Sequence, residues 1–401
     1  VIRHLLKLVW ARKRANALLI IEIFFSFVVV FAVVTLATTM IMRWSKPLGF
    51  DYQNVWDAHV RFPASSSEED ADDSPQRAVI NAMVREMRSM PEVESVAAAG
   101  APPYSNSTWT SGFKVNGRGI DVTRDTVTDG FATVLRMPLL RGRWFTADDE
   151  TAKMPVVVID SDVAMSLFGT LDVIGKTVSN GERDATSFRV VGVIAPFRKH
   201  GELSQDHENM VFDRLSLTQK QGRVARDIIF RVRPGTPADF EQTLIKRMHG
   251  IQPDYPVRVQ HMDQMRDVMN KIFIAPAAVG GIVASFLIIM VALGLSGVLW
   301  QTVTRRTREL GLRRALGATG NQVNRQILLE VALLSTLALV VGVIVVAQLP
   351  LLGAFKIVSP PAFTLGFAGA LATIYGLTLL CGLYPSWLAG KVQPAQALHY
   401  E

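Results

Sequence analysis

Four stretches of this 401-residue chain are each apolar over more than the roughly 20 residues that carry a helix across about 30 Å of hydrocarbon. They are Leu18–Met42, Ile272–Trp300, Gln326–Leu349 and Phe363–Trp387. In lipid the backbone must satisfy its own hydrogen bonds, so continuous apolar runs of this length are read as helices. The chain is therefore expected to be an α-helical membrane protein with four transmembrane helices. The first run is too long for a removable signal peptide and lacks a small-residue cleavage pattern, so it is expected to stay in the bilayer as an anchor. The second, at 29 residues, would be about 43 Å long. Its outer end is expected to project as a stalk, with Pro276 in its first turns.

The net charge of +7 raises the question of nucleic acid, and the distribution of basic residues answers it. Arg3, Lys7, Arg12, Lys13 and Arg14 precede the first span, and Arg305, Arg306, Arg308, Arg313, Arg314 and Arg325 fall between the second and third. Only Lys356 lies between the third and fourth, and Lys391 follows the fourth. Basic loops resist translocation, so both termini are placed in the cytoplasm, with no role for nucleic acid. Residues 1–17 read as an amphipathic segment lying on the bilayer surface. Glu22 and Glu330 sit about one turn inside the membrane and are expected to snorkel or pair with arginines. Gly280, Gly281, Gly294 and Gly297 would allow close approach of another helix.

Between Trp44 and Lys271 the composition turns mixed. Asn54–Phe62 and Val93–Ala98 read as strands flanking a helix at Gln76–Met90. Strand Asp227–Val232, helix Pro237–Met248 and strand Pro256–Gln260 repeat that rhythm downstream. Two such units can pair into one ferredoxin-like sheet. The intervening part contains short β-like runs at Gly112–Val115, Gly119–Val122, Pro155–Ile159, Thr177–Val178 and Phe188–Ile194. A helix at Ser161–Leu167 is signalled by its Ser/Asp start. The plan is thus a cytoplasmic segment (1–17), a first span (18–43) and an α+β extracytoplasmic domain (44–271). That domain divides into a ferredoxin-like part (44–98 and 227–271) and an inserted, mostly β subdomain (99–226). A second span with stalk (272–300), a basic cytoplasmic segment (301–325), a third span (326–349), an outer loop (350–362), a fourth span (363–389) and a cytoplasmic end (390–401) complete it.

Little in the sequence supports catalysis. Cys381 is the single cysteine, so neither a disulfide nor a cysteine metal site can form within the chain. The acidic loop Ala64–Ser74 lacks EF-hand spacing. There is no H-E-x-x-H helix and no G-x-S-x-G nucleophile turn. Gly169–Thr177, GTLDVIGKT, approximates a phosphate-binding loop, but five residues separate its glycines where four are required. No metal and no nucleotide or other cofactor is expected on this chain, and it is not expected to be an enzyme.

The phrases FATVLRMPLLRGRWFTADD (Phe131–Asp149), VVVIDSDVAMSLFG (Val156–Gly169), IGKTV (Ile174–Val178) and FRVVGVIAPFR (Phe188–Arg198) occur in the order seen in MacB-like periplasmic domains. TRRTRELGLRRALGAT (Thr304–Thr319) resembles the coupling region of FtsX-family permeases, and Tyr384-Pro385 followed by Pro394, Ala397-Leu398 and Tyr400-Glu401 resembles their C-terminal pattern. On these residues the chain resembles the MacB-like, FtsX-family ABC transporter permeases over nearly its whole length. The resemblance implies a periplasmic domain whose ferredoxin-like part is porter-like, in a multi-pass protein of the inner membrane. It also implies pairing with a second permease subunit, identical or paralogous, and docking on cytoplasmic ABC ATPase subunits that hold ATP and Mg. MacB carries its ATPase ahead of the first span. This chain starts about 17 residues before its own, so the ATPase is expected on a separate chain. The ATPase-coupling residues would be Arg308, Glu309, Leu310, Leu312, Arg313, Arg314, Leu316, Gly317 and Ala318. The function implied is export of antibiotics, peptides or similar compounds by mechanotransmission, with a periplasmic adaptor and an outer-membrane channel. The alternatives are lipoprotein release, or regulation of a cell-wall hydrolase or sensor kinase.

Overall fold

Helix α1 (Lys13–Trp44), α6 (Met262–Arg305), α7 (Gly320–Val346) and α8 (Pro360–Gly390) each contain a segment long and apolar enough to cross a membrane. The computed structural model describes residues 13–63, 74–180, 186–205, 208–218, 224–305, 319–353 and 358–390. These fall into two units: the described residues up to Met42 and from Ile274 onward, and the α+β unit Arg43–Phe273. The helical unit is apolar on every side. Its inner core includes Ile23, Phe27, Phe31, Leu295, Leu339 and Ile374, while Ile282 and Leu380 remain 72% and 69% exposed. A helix that is hydrophobic all round suits a bilayer, where the outer face needs no polar cover. Phe27 and Phe31 meet Phe367 and Phe363 edge to face, at 6.3 and 5.2 Å between centroids. Buried hydroxyls pair across α7 and α8, with Ser335 and Thr378 2.9 Å apart. Of the four glycines of the second span, Gly280 and Gly294 face α1, at Val33 and Glu22, and the other two face open space.

In the α+β unit, β1 (Val55–Val60), α2 (Ser74–Ser89) and β2 (Val93–Ala99) form one strand–helix–strand set. A second comprises β10 (Asp227–Val232), α5 (Phe240–Ile251) and β11 (Val257–His261). Their strands lie in the order β11–β1–β10–β2 with every neighbour antiparallel, the interleaved arrangement of a ferredoxin-like sheet. Alternate residues serve two cores, as the two-residue period of a strand requires. Ile228 and Phe230 pack with Met83 and Met87 of α2 and Leu244 of α5, whereas Ile229 packs on the opposite side with Met262 and Met269. Each such fully buried side chain contributes about 1.5–3 kcal/mol.

The inserted part contains β3 (Trp109–Val115), β4 (Arg118–Val127), the one-turn α3 (Phe131–Val134), β5 (Leu139–Gly142), β6 (Val156–Asp160), α4 (Ser161–Phe168), β7 (Thr177–Asn180), β8 (Ser187–Ile194) and β9 (Met210–Arg214). The pairings β4–β3–β7–β8–β6–β9 return to β4, closing a hydrogen-bonded ring of six strands. Val163, Ala164 and Leu167 of α4 share a core with Phe113, Val178, Val190 and Val211 of that ring. Asp160 starts α4 by accepting from the Val163 N–H at 2.8 Å, and Gly169, at φ +70°, ends it. Only Ala99↔Val127 pairs the ferredoxin-like sheet with β4.

Several boundaries differ from the sequence reading. The second long helix begins at Met262 and not Ile272, so residues assigned to the end of the ferredoxin-like part are its first turns, and Pro276 lies within the helix. Met262, Met265, Met269 and Phe273 form an apolar stripe at helical spacing that packs on the α+β core. A count of continuous apolar residues passes over such a stripe. Helix α7 likewise starts at Gly320, before Gln326, because Thr319 and Gln322 form a capping box. Strands β5 (LLRG) and β9 (MVFDR) are not read from the sequence, since each mixes apolar residues with charge.

Candidate functional site: the neck of the α+β unit

The nine coupling residues Arg308, Glu309, Leu310, Leu312, Arg313, Arg314, Leu316, Gly317 and Ala318 lie outside the described residues. The structure describes the flanks of that segment. Helix α6 runs to Arg305, and the chain resumes at Thr319, whose N–H donates to Gln322 Oε1 at 3.0 Å. Lys176 of the GTLDVIGKT segment places its ammonium 5.4 Å from the Phe168 ring centroid, and Gly175 turns the chain at φ +80°. Of the histidines, His261 stacks on Trp56 at 4.1 Å and His59 sits 2.6 Å from Asp227. Among the described residues no three His, Cys, Asp or Glu side chains could hold a metal ion.

A buried polar cluster lies at the neck, where the chain enters and leaves the α+β unit. Loop 195–205, between β8 and β9, carries it. Arg198 is 2% exposed. Its Nη1 donates to the Arg43 carbonyl at 2.8 Å, in the last turn of α1, and its Nη2 donates to the carbonyls of Glu202 and Ser204 at 2.6 and 3.2 Å. A buried guanidinium needs such acceptors, because its charge is costly to strip of water. Its own N–H donates to Leu48 O at 2.9 Å. Glu202, four residues on, accepts from Arg266 Nε of α6 at 2.5 Å. Arg266 also lies over Trp44 and Tyr52, at 5.3 and 5.1 Å from their ring centroids. One loop therefore grips the last turn of α1 with Arg198 and the second turn of α6 with Glu202.

Two glycines let the backbones close on each other. Gly49 has φ +83°, and a Cβ there would lie 2.2 Å from the Pro196 carbonyl oxygen. Gly201 has φ +91°, and a Cβ there would lie 2.6 Å from the Tyr104 ring. Burial, reinforced by the Glu202 charge, pushes the Tyr104 hydroxyl well above its ordinary pKa, so it stays neutral. Lys199, next to Arg198, reaches away from the helices to Asp125 of β4 at 3.2 Å, with side chains 2% and 5% exposed. Burial raises the Asp125 carboxyl to about 6 against the lowering effect of Lys199.

Arg198 ends one of the phrases that mark the family resemblance, but no local pattern assigns a role to Arg198, Lys199, Glu202 or Arg266. The first three share one signal, the charged run RKHGE (198–202) shortly after an apolar strand, and such runs are ordinarily solvated; Arg266 lies apart, in α6. The arginines that stand out in the sequence are those near the membrane.

Residues 17–246 match the family described as MacB-like periplasmic core domain, and residues 281–394 match the FtsX-like permease C-terminal domain. The chain is 25% identical over 318 residues to the macrolide export ATP-binding/permease protein MacB of Chlorobaculum tepidum, covering 76% of this chain and 46% of that protein. It is 26% identical over 306 residues to the uncharacterized ABC transporter permease YknZ of Bacillus subtilis, covering 70% of each. The chain thus spans about half the length of the MacB relatives it matches. Among solved structures, the periplasmic region of MacB from Actinobacillus actinomycetemcomitans aligns with a TM-score of 0.39 at 15% identity, covering 55% of this chain and 94% of that one.

Proposed function

Since this chain belongs to the MacB-like, FtsX-family ABC transporter permeases, we propose that it couples ATP hydrolysis by ABC ATPase subunits to shape changes in its periplasmic domain, and thereby exports antibiotics, peptides or similar compounds. In this reading the ATPases bind the cytoplasmic segment around Leu312 and Leu316. Their closure moves the membrane helices, and the porter-like periplasmic domain responds without cargo having to pass between the spans. A second permease subunit, a periplasmic adaptor and an outer-membrane channel complete the assembly, and the chain resides in the inner membrane.

The observation that carries the reading is the neck. The backbone passes between the two units twice, at Met42/Arg43 and Phe273/Ile274, each time inside a continuous helix. Loop 195–205 ties both helices where they join the α+β unit. In this reading displacement reaches the α+β unit along these two helices, whose ends within that unit Arg198 and Glu202 hold.

The test uses the full chain, copurified from native membranes with its bound subunits and reconstituted in lipid. Glu202→Gln and Arg266→Met are expected to keep ATPase association and basal hydrolysis and to lose export of a fluorescent hydrophobic tracer. Export at the wild-type rate by both variants, or the absence of any ATPase in the purified complex, overturns the proposal.

A further inference from the structure

A cleft of about 380 Å³ opens between the ferredoxin-like part and the strand ring, a size within the range of small-molecule sites. Its apolar walls are Phe62 and Trp109, and its charged lining is Arg124, Asp125, Lys199 and Arg226, three cations to one carboxylate. The cations differ in availability. Arg124 lies 4.4 Å from the Trp109 centroid, but Asp213 holds its Nε and Nη2 in a two-point grip at 2.9 and 2.8 Å. Lys199 is committed to Asp125 on the floor. Arg226 is exposed, lies 5.9 Å from the Phe62 centroid and makes no ion pair among the described residues. A guanidinium above a ring keeps its edge N–H donors for a carboxylate. Among the described residues the cleft thus offers one fork outside any ion pair, on Arg226, and the edges of two aromatic rings, Phe62 and Trp109, for an apolar body.

Its floor belongs to the loop that forms the neck. Lys199 holds Asp125 in the cleft, Arg198 holds the end of α1, and Glu202 holds α6. An anion in the cleft would compete with Asp125 for the Lys199 ammonium, and a shift carried into the Lys199 backbone would reach its covalent neighbour Arg198. We propose that this cleft binds an amphipathic carboxylate and that its occupancy is transmitted to the outer ends of α1 and α6 through the Arg198–Lys199–Glu202 loop. The inference goes beyond the transport reading and is tested without an ATPase, so either can fail while the other stands.

The probe is N-acetyl-L-phenylalanine, with its uncharged amide as control, titrated calorimetrically into the full chain in lipid nanodiscs. The acid is expected to bind saturably, and both the amide and the Arg226→Ala variant are expected to bind about tenfold more weakly or worse, the scale of one charge-assisted hydrogen bond. Hydrogen exchange on the acid-bound wild type should change in residues 198–205 and at 43–50 and 262–266. Lys199→Met should bind the acid yet leave the helix ends unresponsive, and Lys199→Arg should restore the response. If Lys199→Met does not fold, the double variant Lys199→Met/Asp125→Asn, which removes both charges of the buried pair, should likewise bind the acid and leave the helix ends unresponsive. Equal binding of acid and amide, or wild-type binding by Arg226→Ala, overturns the anion site. Unchanged exchange at both helix ends of the acid-bound wild type overturns the transmission.

Discussion

Nη1 of Arg198 lies 2.8 Å from the carbonyl oxygen of Arg43, joining positions 155 apart in sequence. The bond ties a loop of the strand ring to the last turn of the first membrane helix. Arg198→Met keeps much of the side-chain volume and removes every donor of the guanidinium. The carbonyls of Arg43, Glu202 and Ser204 then lose a partner, at about 1–3 kcal/mol for each that water cannot reach. The thermal midpoint of the full chain in detergent should fall by several degrees, with membrane insertion unchanged. An unaltered midpoint would show that the clasp holds nothing together.

Two left-handed glycines separate backbone strain from collision. Gly117 (φ +82°) has open space where a Cβ would stand, so Gly117→Ala should cost only the left-handed conformation, about 1–2 kcal/mol. Gly49→Ala adds a clash with the Pro196 carbonyl and should cost clearly more. Denaturant midpoints of the two variants test the order, and equal losses would refute the close approach at the neck.

Burial raises the Asp160 carboxyl from 3.8 to about 7. The folded chain therefore keeps a proton that the unfolded chain has released between about pH 4 and pH 7. Because the folded state binds more protons in that window, this group's stabilisation is full below about pH 4 and is lost as pH rises to about 7. Asp160→Asn keeps an acceptor for the Val163 N–H and cannot titrate, so midpoints measured from pH 4 to 8 should slope less than wild type. Asp125, raised to about 6, leaves a residual slope of the same sign. A slope identical to wild type would remove Asp160 from the account.

At the coupling segment, Leu312→Asp and Leu316→Asp place a charge where an apolar contact with the ATPase is proposed, at several kcal/mol if it stays unpaired. Both should weaken ATPase copurification and stimulated hydrolysis while the chain still inserts in the membrane. Arg313→Ala should have a smaller effect that fades with added salt. Normal association by both aspartate variants would sink this assignment.

Topology is checked with single cysteines after Cys381→Ser. Ser107→Cys, exposed in the α+β unit, should react with an impermeant thiol reagent from the outer side. Asn321→Cys, exposed near the start of α7, should react only once the inner face is opened. The reverse pattern would invert the arrangement drawn from the basic residues.

The four membrane helices were legible because lipid leaves a long apolar run one option. The two strand–helix–strand sets were legible because the two-residue and 3.6-residue periods survive in short segments: Asp227–Val232 is a strand to the residue. The helix at Ser161–Leu167 was readable from its Ser/Asp start, whereas the structure gives the cap to Asp160. The stripe at Met262, Met265, Met269 and Phe273 is present in the sequence too, but only a periodicity count moves the start of α6 to Met262.

What the sequence by itself determined, then, was whatever depends on neighbours a few positions apart: spans, caps, strand–helix rhythm, and the phrases that mark the family. What only the tertiary structure decided was which charges lie inside. Arg198, Lys199 and Asp125 carry no local mark distinguishing them from solvated residues, since the contacts that make their burial tolerable include the Arg43 carbonyl, 155 residues from Arg198, and the pairing of Lys199 with Asp125 across 74 residues. Closure of the strand ring through β4 and β9 was hidden for the same reason, because pairing between distant segments is set by how surfaces fit once folded and leaves no periodic trace in either strand.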